Sequence, residues 1–110
     1  MENDRNHKIE EQIKEIAATF IERESNKSAL LTITKVEVYD RGRSAMIYLS
    51  VLPENGEESA INFLKRKRAE MREVIKKRMN IRTIPFIDVQ IDKGQKALHT
   101  IEALLKEGEQ

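Results

Sequence analysis

Apolar residues recur at Ile9, Ile13, Ile16, Ala17, Phe20 and Ile21, in steps of three, four and one that keep them on one face of a helix. Glu10, Glu11, Lys14 and Glu15 take the other faces. Ser25-Asn26-Lys27-Ser28 is turn material, so this helix is predicted to end near Glu24. The next run, ALLTITKVEVYDRGRSAMIYLSVL, is rich in β-branched residues. It is split by Asp40-Arg41-Gly42-Arg43, whose glycine can take a positive φ. Beyond the split, Ala45, Ile47, Leu49 and Val51 share one face while Met46, Tyr48 and Ser50 share the other. Two strands joined by a short glycine-containing loop predict an antiparallel hairpin. In the first strand the alternation changes phase at Lys35, which fits either a bulge or a strand partly covered on both faces.

Pro53-Glu54-Asn55-Gly56 closes the hairpin, and a long helical pattern follows: Ala60, Ile61, Leu64, then Met71, Val74, Ile75 and Met79. The stripe has a hole. Steps of three or four from Leu64 reach Lys67 and Arg68, both charged. Such an interruption predicts a bend, or two helices meeting near residues 67–69; the plainer alternative is one straight helix whose long basic side chains snorkel outward. Pro85 forces Ile84 out of helical conformation. Phe86 to Asp92 then alternates, with Ile87, Val89 and Ile91 on one face, and Lys93-Gly94 ends this third strand. Residues 95–107, with Ala97, Leu98, Ile101, Leu104 and Leu105, predict a last amphipathic helix. The order α-β-β-α-(α)-β-α describes an α+β domain, a three-stranded sheet with helices packed on one face.

At 110 residues there is material for one domain, with residues 1–7 and 108–110 expected as unstructured ends. A hydrophobic share of 39% beside 35% charged residues suits a globular chain and not a disordered one. The absence of cysteine excludes disulfides, thiolate nucleophiles and cysteine-based zinc sites. The opening MENDRNHK is polar with no apolar stretch behind it, unlike a secretory signal. No apolar run approaches the roughly 20 residues that cross a bilayer. The expected location is cytoplasmic, with no membrane partner.

Catalytic chemistry finds little support. His7 and His99 have no second histidine at metal-ligand spacing. The glycines at 42, 56, 94 and 108 are isolated, so no phosphate-cradling loop exists. Asp88 and Asp92 lie four apart on one strand and so point to one side, but nothing else converges on them. The serines and threonines have no histidine base near them in the pattern. No cofactor or metal is expected, and an enzyme such as a small nuclease or transferase is the weakest reading.

Charge changes the picture more than composition does. Of the chain's 20 basic and 19 acidic residues, nine and two fall between positions 65 and 82, which leaves eleven and seventeen elsewhere. The segment is therefore +7 and the remainder −6. The nine are Lys65, Arg66, Lys67, Arg68, Arg72, Lys76, Lys77, Arg78 and Arg82, with only Glu70 and Glu73 among them. A merely solvated helix would carry more local Glu–Lys pairs. A one-sided cationic field suits phosphate contact with RNA or DNA, by counterion release and with little sequence selectivity. None of the five aromatic residues lies inside the basic stretch, which favours a grip on folded, partly double-stranded nucleic acid through its backbone over base stacking. A protein-interaction module whose basic helix docks on an acidic partner is the alternative.

The segments LTITKVEV (31–38), AMIYLSV (45–51), Arg72 and IRTIP (81–85), in that order, resemble ribosome-binding factor A, a bacterial small-subunit maturation factor. Asp40 and Ala45 also match, and Phe86-Ile87-Asp88 suits the strand after the proline. The resemblance spans most of the chain, and it implies a type II KH-like fold, α-β-β-α-kink-α-β. In that family an Ala-x-Gly kink replaces the GXXG loop of RNA-binding KH modules; the aligned positions here are Lys67-Arg68-Ala69, with lysine and alanine at the Ala and Gly places. By resemblance, the protein would act as a non-catalytic monomer that binds the immature 30S subunit through 16S rRNA and assists late folding or 5′-end processing of that RNA. The nine basic residues named above would be its RNA contacts. For Arg72 and Arg82, pairing with carboxylates to fix the kink and the helix end is an equal alternative.

Overall fold

The computed structural model describes residues 2–94 together with residues 104 and 105. Its elements run α1 (Glu2–Glu24), β1 (Leu30–Tyr39), β2 (Ser44–Leu52), a 3-10 turn (Glu54–Gly56), α2 (Glu57–Arg66), α3 (Arg68–Arg78) and β3 (Phe86–Ile91). This is the α+β order read from the pattern. The helix expected over residues 95–107, with His99, lies outside the described residues except that Leu104 and Leu105 are helical and exposed. Helix α1 extends back to Glu2, across residues 2–7 that carry no apolar stripe.

The strands form one mixed sheet in the order β1-β2-β3. β1 and β2 are antiparallel, as the hairpin pattern requires, while β2 and β3 are parallel from Ser44↔Phe86 to Leu49↔Ile91. A parallel pair needs a crossover connection, and α2 and α3 supply it. At the hairpin tip Asp40, Arg41 and Gly42 all have positive φ, and Gly42, at +83°, is the one residue of the three with no Cβ to crowd. The pairing passes from Ile33↔Leu49 to Lys35↔Tyr48, so the phase change is a bulge at Thr34. The Thr34 hydroxyl donates to an Asp92 carboxylate oxygen just beyond β3 and also lies 3.3 Å from the Tyr48 carbonyl oxygen. With the extra residue taken up there, Ile33, Val36 and Val38 all face the core.

One face of the sheet is covered. Ala45, Ile47, Leu49, Ile87 and Val89 from the sheet meet Ile13, Ala17, Phe20 and Ile21 of α1, Leu64 of α2, and Met71 and Ile75 of α3, all buried. These are the positions that the helical and strand periodicities had set on common faces. On the opposite face Lys35, Glu37, Tyr39, Phe86 and Gln90 are exposed and Met46, Tyr48 and Ser50 half-buried. Among the described residues no helix is long and apolar enough to cross a membrane.

Candidate nucleic-acid interface

The long basic segment is two helices. Lys67 sits between them with φ −97° and ψ 3°, outside the helical region. Its N–H is shared between the carbonyls of Phe63 and Leu64, at 3.2 and 3.1 Å, and its own carbonyl accepts from Met71 N–H at 2.9 Å. The hole in the apolar stripe is therefore a break in the chain's direction and not a snorkelling pair on one rod. No residue at the break has a positive φ. That explains how alanine serves at position 69, where the resemblance would place glycine: the turn is made with backbone angles open to any L-residue.

Side chains pin the break to the sheet. Arg68 donates from Nε to the Lys65 carbonyl, 3.2 Å, which the end of α2 leaves without a helical partner. Its Nη1 donates to Asp88 Oδ1 at 3.0 Å, and the guanidinium lies 5.7 Å from the centre of the Phe86 ring. One turn on, Arg72 forks across the chain that leads into β3: Nη2 donates to the Ile84 carbonyl at 2.9 Å and Nε to the Pro85 carbonyl at 3.2 Å. Arg72 thus fixes the segment before β3 through carbonyls, where the sequence had suggested carboxylates. Lys67 bridges Glu24 at the end of α1 (3.6 Å) and Glu70 (3.5 Å).

The nine basic residues therefore divide. Lys67, Arg68 and Arg72 are half-buried and hold the frame. Lys65, Arg66, Lys76, Lys77, Arg78 and Arg82 are exposed. The exposed ones form no single ridge along one helix. Lys65 and Arg66 occupy the last turn of α2, Lys76 to Arg78 the last turn of α3, and Arg82 the loop beyond. Glu70 and Glu73, both exposed, lie between the two groups in sequence. Cations at a helix C-terminus also complement its free carbonyls, so both placements have a local stabilising cause as well. Because the segment breaks, there are two such ends instead of one. Beside Arg66 opens a cleft of about 280 Å³ walled by hydroxyls and amides of Ser25, Asn26, Ser28, Asn55 and Ser59.

Asp88 and Asp92 do not act together, since the first pairs with Arg68 and the second accepts from Thr34. His7 is exposed on α1. Among the described residues no group of three or more histidine, aspartate or glutamate side chains is arranged to hold a metal ion.

The model of the ribosome-binding factor A family matches residues 5–105. The chain belongs to the ribosome-binding factor A family. Solved structures agree with that fold. The crystal structure of ribosome-binding factor A from Thermus thermophilus superposes with a TM-score of 0.71 at 23% identity, covering 78% of this chain and 93% of that one. A solution structure of a Thermotoga maritima protein described in the same terms gives 0.68 at 21% identity, covering 78% and 85%. The Thermus thermophilus ribosome-binding factor A homology model fitted into the electron cryo-microscopy map of a 30S complex gives 0.65 at 23% identity, covering 76% and 90%. No curated protein matches the chain. The break that the family likeness implied is present in this member, with Lys67 and Ala69 at the alanine and glycine places.

Proposed function

We propose that this protein binds the 30S ribosomal subunit through 16S rRNA and assists its late maturation, including processing of the RNA 5′ end, without catalysing a reaction itself. It would do so as a monomer in the cytoplasm. Family membership supports the ribosomal role, and so does the likeness to a relative fitted into a 30S complex. The observation that carries the RNA reading is the exposure of six cations at two helix ends and the following loop, on a frame held by three others. Two cationic points on a rigid body match the spacing of phosphates in only some RNA conformations. A protein that grips one conformation better than others shifts the population toward it by that difference in affinity.

The test is sucrose-gradient sedimentation with 30S subunits. Wild-type protein should travel with the particles and be released by ribonuclease. The quadruple variant Lys65→Glu, Arg66→Glu, Lys76→Glu and Lys77→Glu should stay at the top of the gradient while still folded, its unfolding temperature lowered only by the lost charge complement at the two helix ends, since none of the four side chains holds the frame. Lys67 and Arg68 are unsuitable for this purpose because their ion pairs anchor the break. A quadruple variant that still co-sediments rules out the helix ends as the binding surface. Retention on particles stripped of accessible RNA would point instead to an acidic protein partner.

A further inference from the structure

Folding does something with the aromatic residues that their places in the chain conceal. Tyr39 is the last residue of β1 and Phe86 the first of β3, 47 positions apart in sequence. The sheet sets them in one cross-strand row, because Tyr39 pairs with Ser44 and Ser44 pairs with Phe86. Their neighbours Val38 and Ile87 are buried on the covered face, so both rings point to the open one. Both are exposed, Phe86 at 60% and Tyr39 at 45%. Strand spacing of about 4.8 Å puts the two positions roughly 10 Å apart, with only the small Ser44 between them.

The surroundings bring cations to the rings, beside the exposed carboxylates of Glu37 on the same face and Asp40 in the loop. Arg41 and Arg43 lie exposed in the hairpin loop that closes this end of the sheet, and the Arg43 carbonyl accepts from Phe86 N–H at 2.8 Å, tying the loop to the ring's own backbone. Neither arginine takes part in an ion pair among the described residues. Arg68 stands over one side of Phe86, and the same arginine pairs with Asp88, two residues along β3. Tyr48, farther along the open face, is different: Lys35 lies 4.5 Å from its ring centre and occupies it. An exposed pair of rings with arginines at its rim is poorly suited to a dry protein contact and well suited to bases, whose flat faces stack on aromatic rings and guanidinium planes while their phosphates meet the cations.

We propose that Tyr39 and Phe86 form a stacking platform for unpaired RNA bases, with Arg41 and Arg43 holding the flanking phosphates. This deepens the RNA-binding reading above and rests on it. It assigns single-stranded nucleotides to the open sheet face and leaves the exposed helix ends to the backbone of folded RNA. Stacking of this kind is tolerant of sequence, because every base has a π-face.

The protein supplies its own reporter, since it has no tryptophan and only two tyrosines. In a Tyr48→Phe variant, Tyr39 is the sole tyrosine emitter. Titration with an unstructured oligouridylate should quench its emission, while an RNA duplex of equal length should not. Labelled oligouridylate should bind the Phe86→Ala and Tyr39→Ala variants about tenfold more weakly than wild type, the scale of losing one stacked base. Lys76→Glu/Lys77→Glu, in contrast, should weaken the duplex more than the oligouridylate. Unchanged Tyr39 emission at saturation, or affinities of both alanine variants within about twofold of wild type, overturns the platform. If those variants keep the oligouridylate but lose a cross-link to a ribosomal protein, the face docks protein and the proposal is likewise overturned. The sedimentation experiment reports separately on ribosome binding: a wild-type protein that fails to travel with 30S particles removes the underlying reading, whereas failure of the aromatic variants alone removes only this inference.

Discussion

Arg72 shows how a basic residue in a basic helix can belong to the fold. Its two donors meet the carbonyls of Ile84 and Pro85, both buried residues, at the point where the chain turns into β3. Replacing it with methionine keeps much of the stem's packing and strands those acceptors. The expected cost is about 1–3 kcal/mol, read as a lower urea midpoint with an unchanged m-value. Arg72→Lys should recover only part of this, because a single ammonium cannot span both carbonyls as the planar fork does. A methionine variant as stable as wild type would mean that water satisfies the two carbonyls and that the arginine is not holding them. The requirement is also written in the chain: an arginine in the helix and a proline before the third strand are two halves of one contact, although neither names the other. Sequence spacing alone left Arg72 divided between RNA and structure, since carbonyl partners leave no trace in side-chain chemistry.

Among the elements, the break at Lys67 carries most of the architecture. It turns one helical pattern into two rods, gives each its own cationic C-terminal turn, and lets Leu64 and Met71 enter the same core. Its backbone needs no glycine, so Ala69→Gly, at an exposed position of α3, should destabilise by about 0.5–1 kcal/mol through lost helix propensity. Thermal unfolding checks the sign: a stabilised glycine variant would show that the present alanine strains the turn. The break itself was legible because charged residues cannot continue an apolar stripe at core positions. The bulge was half legible, for the phase shift at Lys35 is visible in the sequence while the choice of an extra residue at Thr34 depends on pairing with β2. The parallel β2-β3 pairing depends likewise on two strands finding each other across the whole α2-α3 connection, and periodicity within a strand does not encode its neighbour. Arg68 and Asp88 meet across twenty residues for the same reason. Their half-exposed pair is screened by solvent, so what it contributes is the direction of α3 against β3 more than stability.

At the scale of the whole molecule, a near-neutral chain carries a +7 segment whose cations folding divides between frame and surface. The +7 segment was plain from composition along the sequence, but not its division into three anchored and six exposed cations, which required knowing which carboxylates and carbonyls lay within reach. Nor could the chain's order reveal Tyr39 and Phe86 as neighbours on one sheet face. The proposed grip on RNA therefore rests on exposed charge at the helix ends acting by counterion release, with the anchored arginines as scaffold. That claim has a direct readout in the salt dependence of affinity for purified 30S subunits, compared between wild type and Lys76→Ala/Lys77→Ala. The double variant should bind more weakly and its slope of log affinity against log salt should be shallower by roughly 2, about 0.9 for each duplex phosphate contact removed. A slope equal to that of the wild type would contradict the account, whatever happened to the affinity.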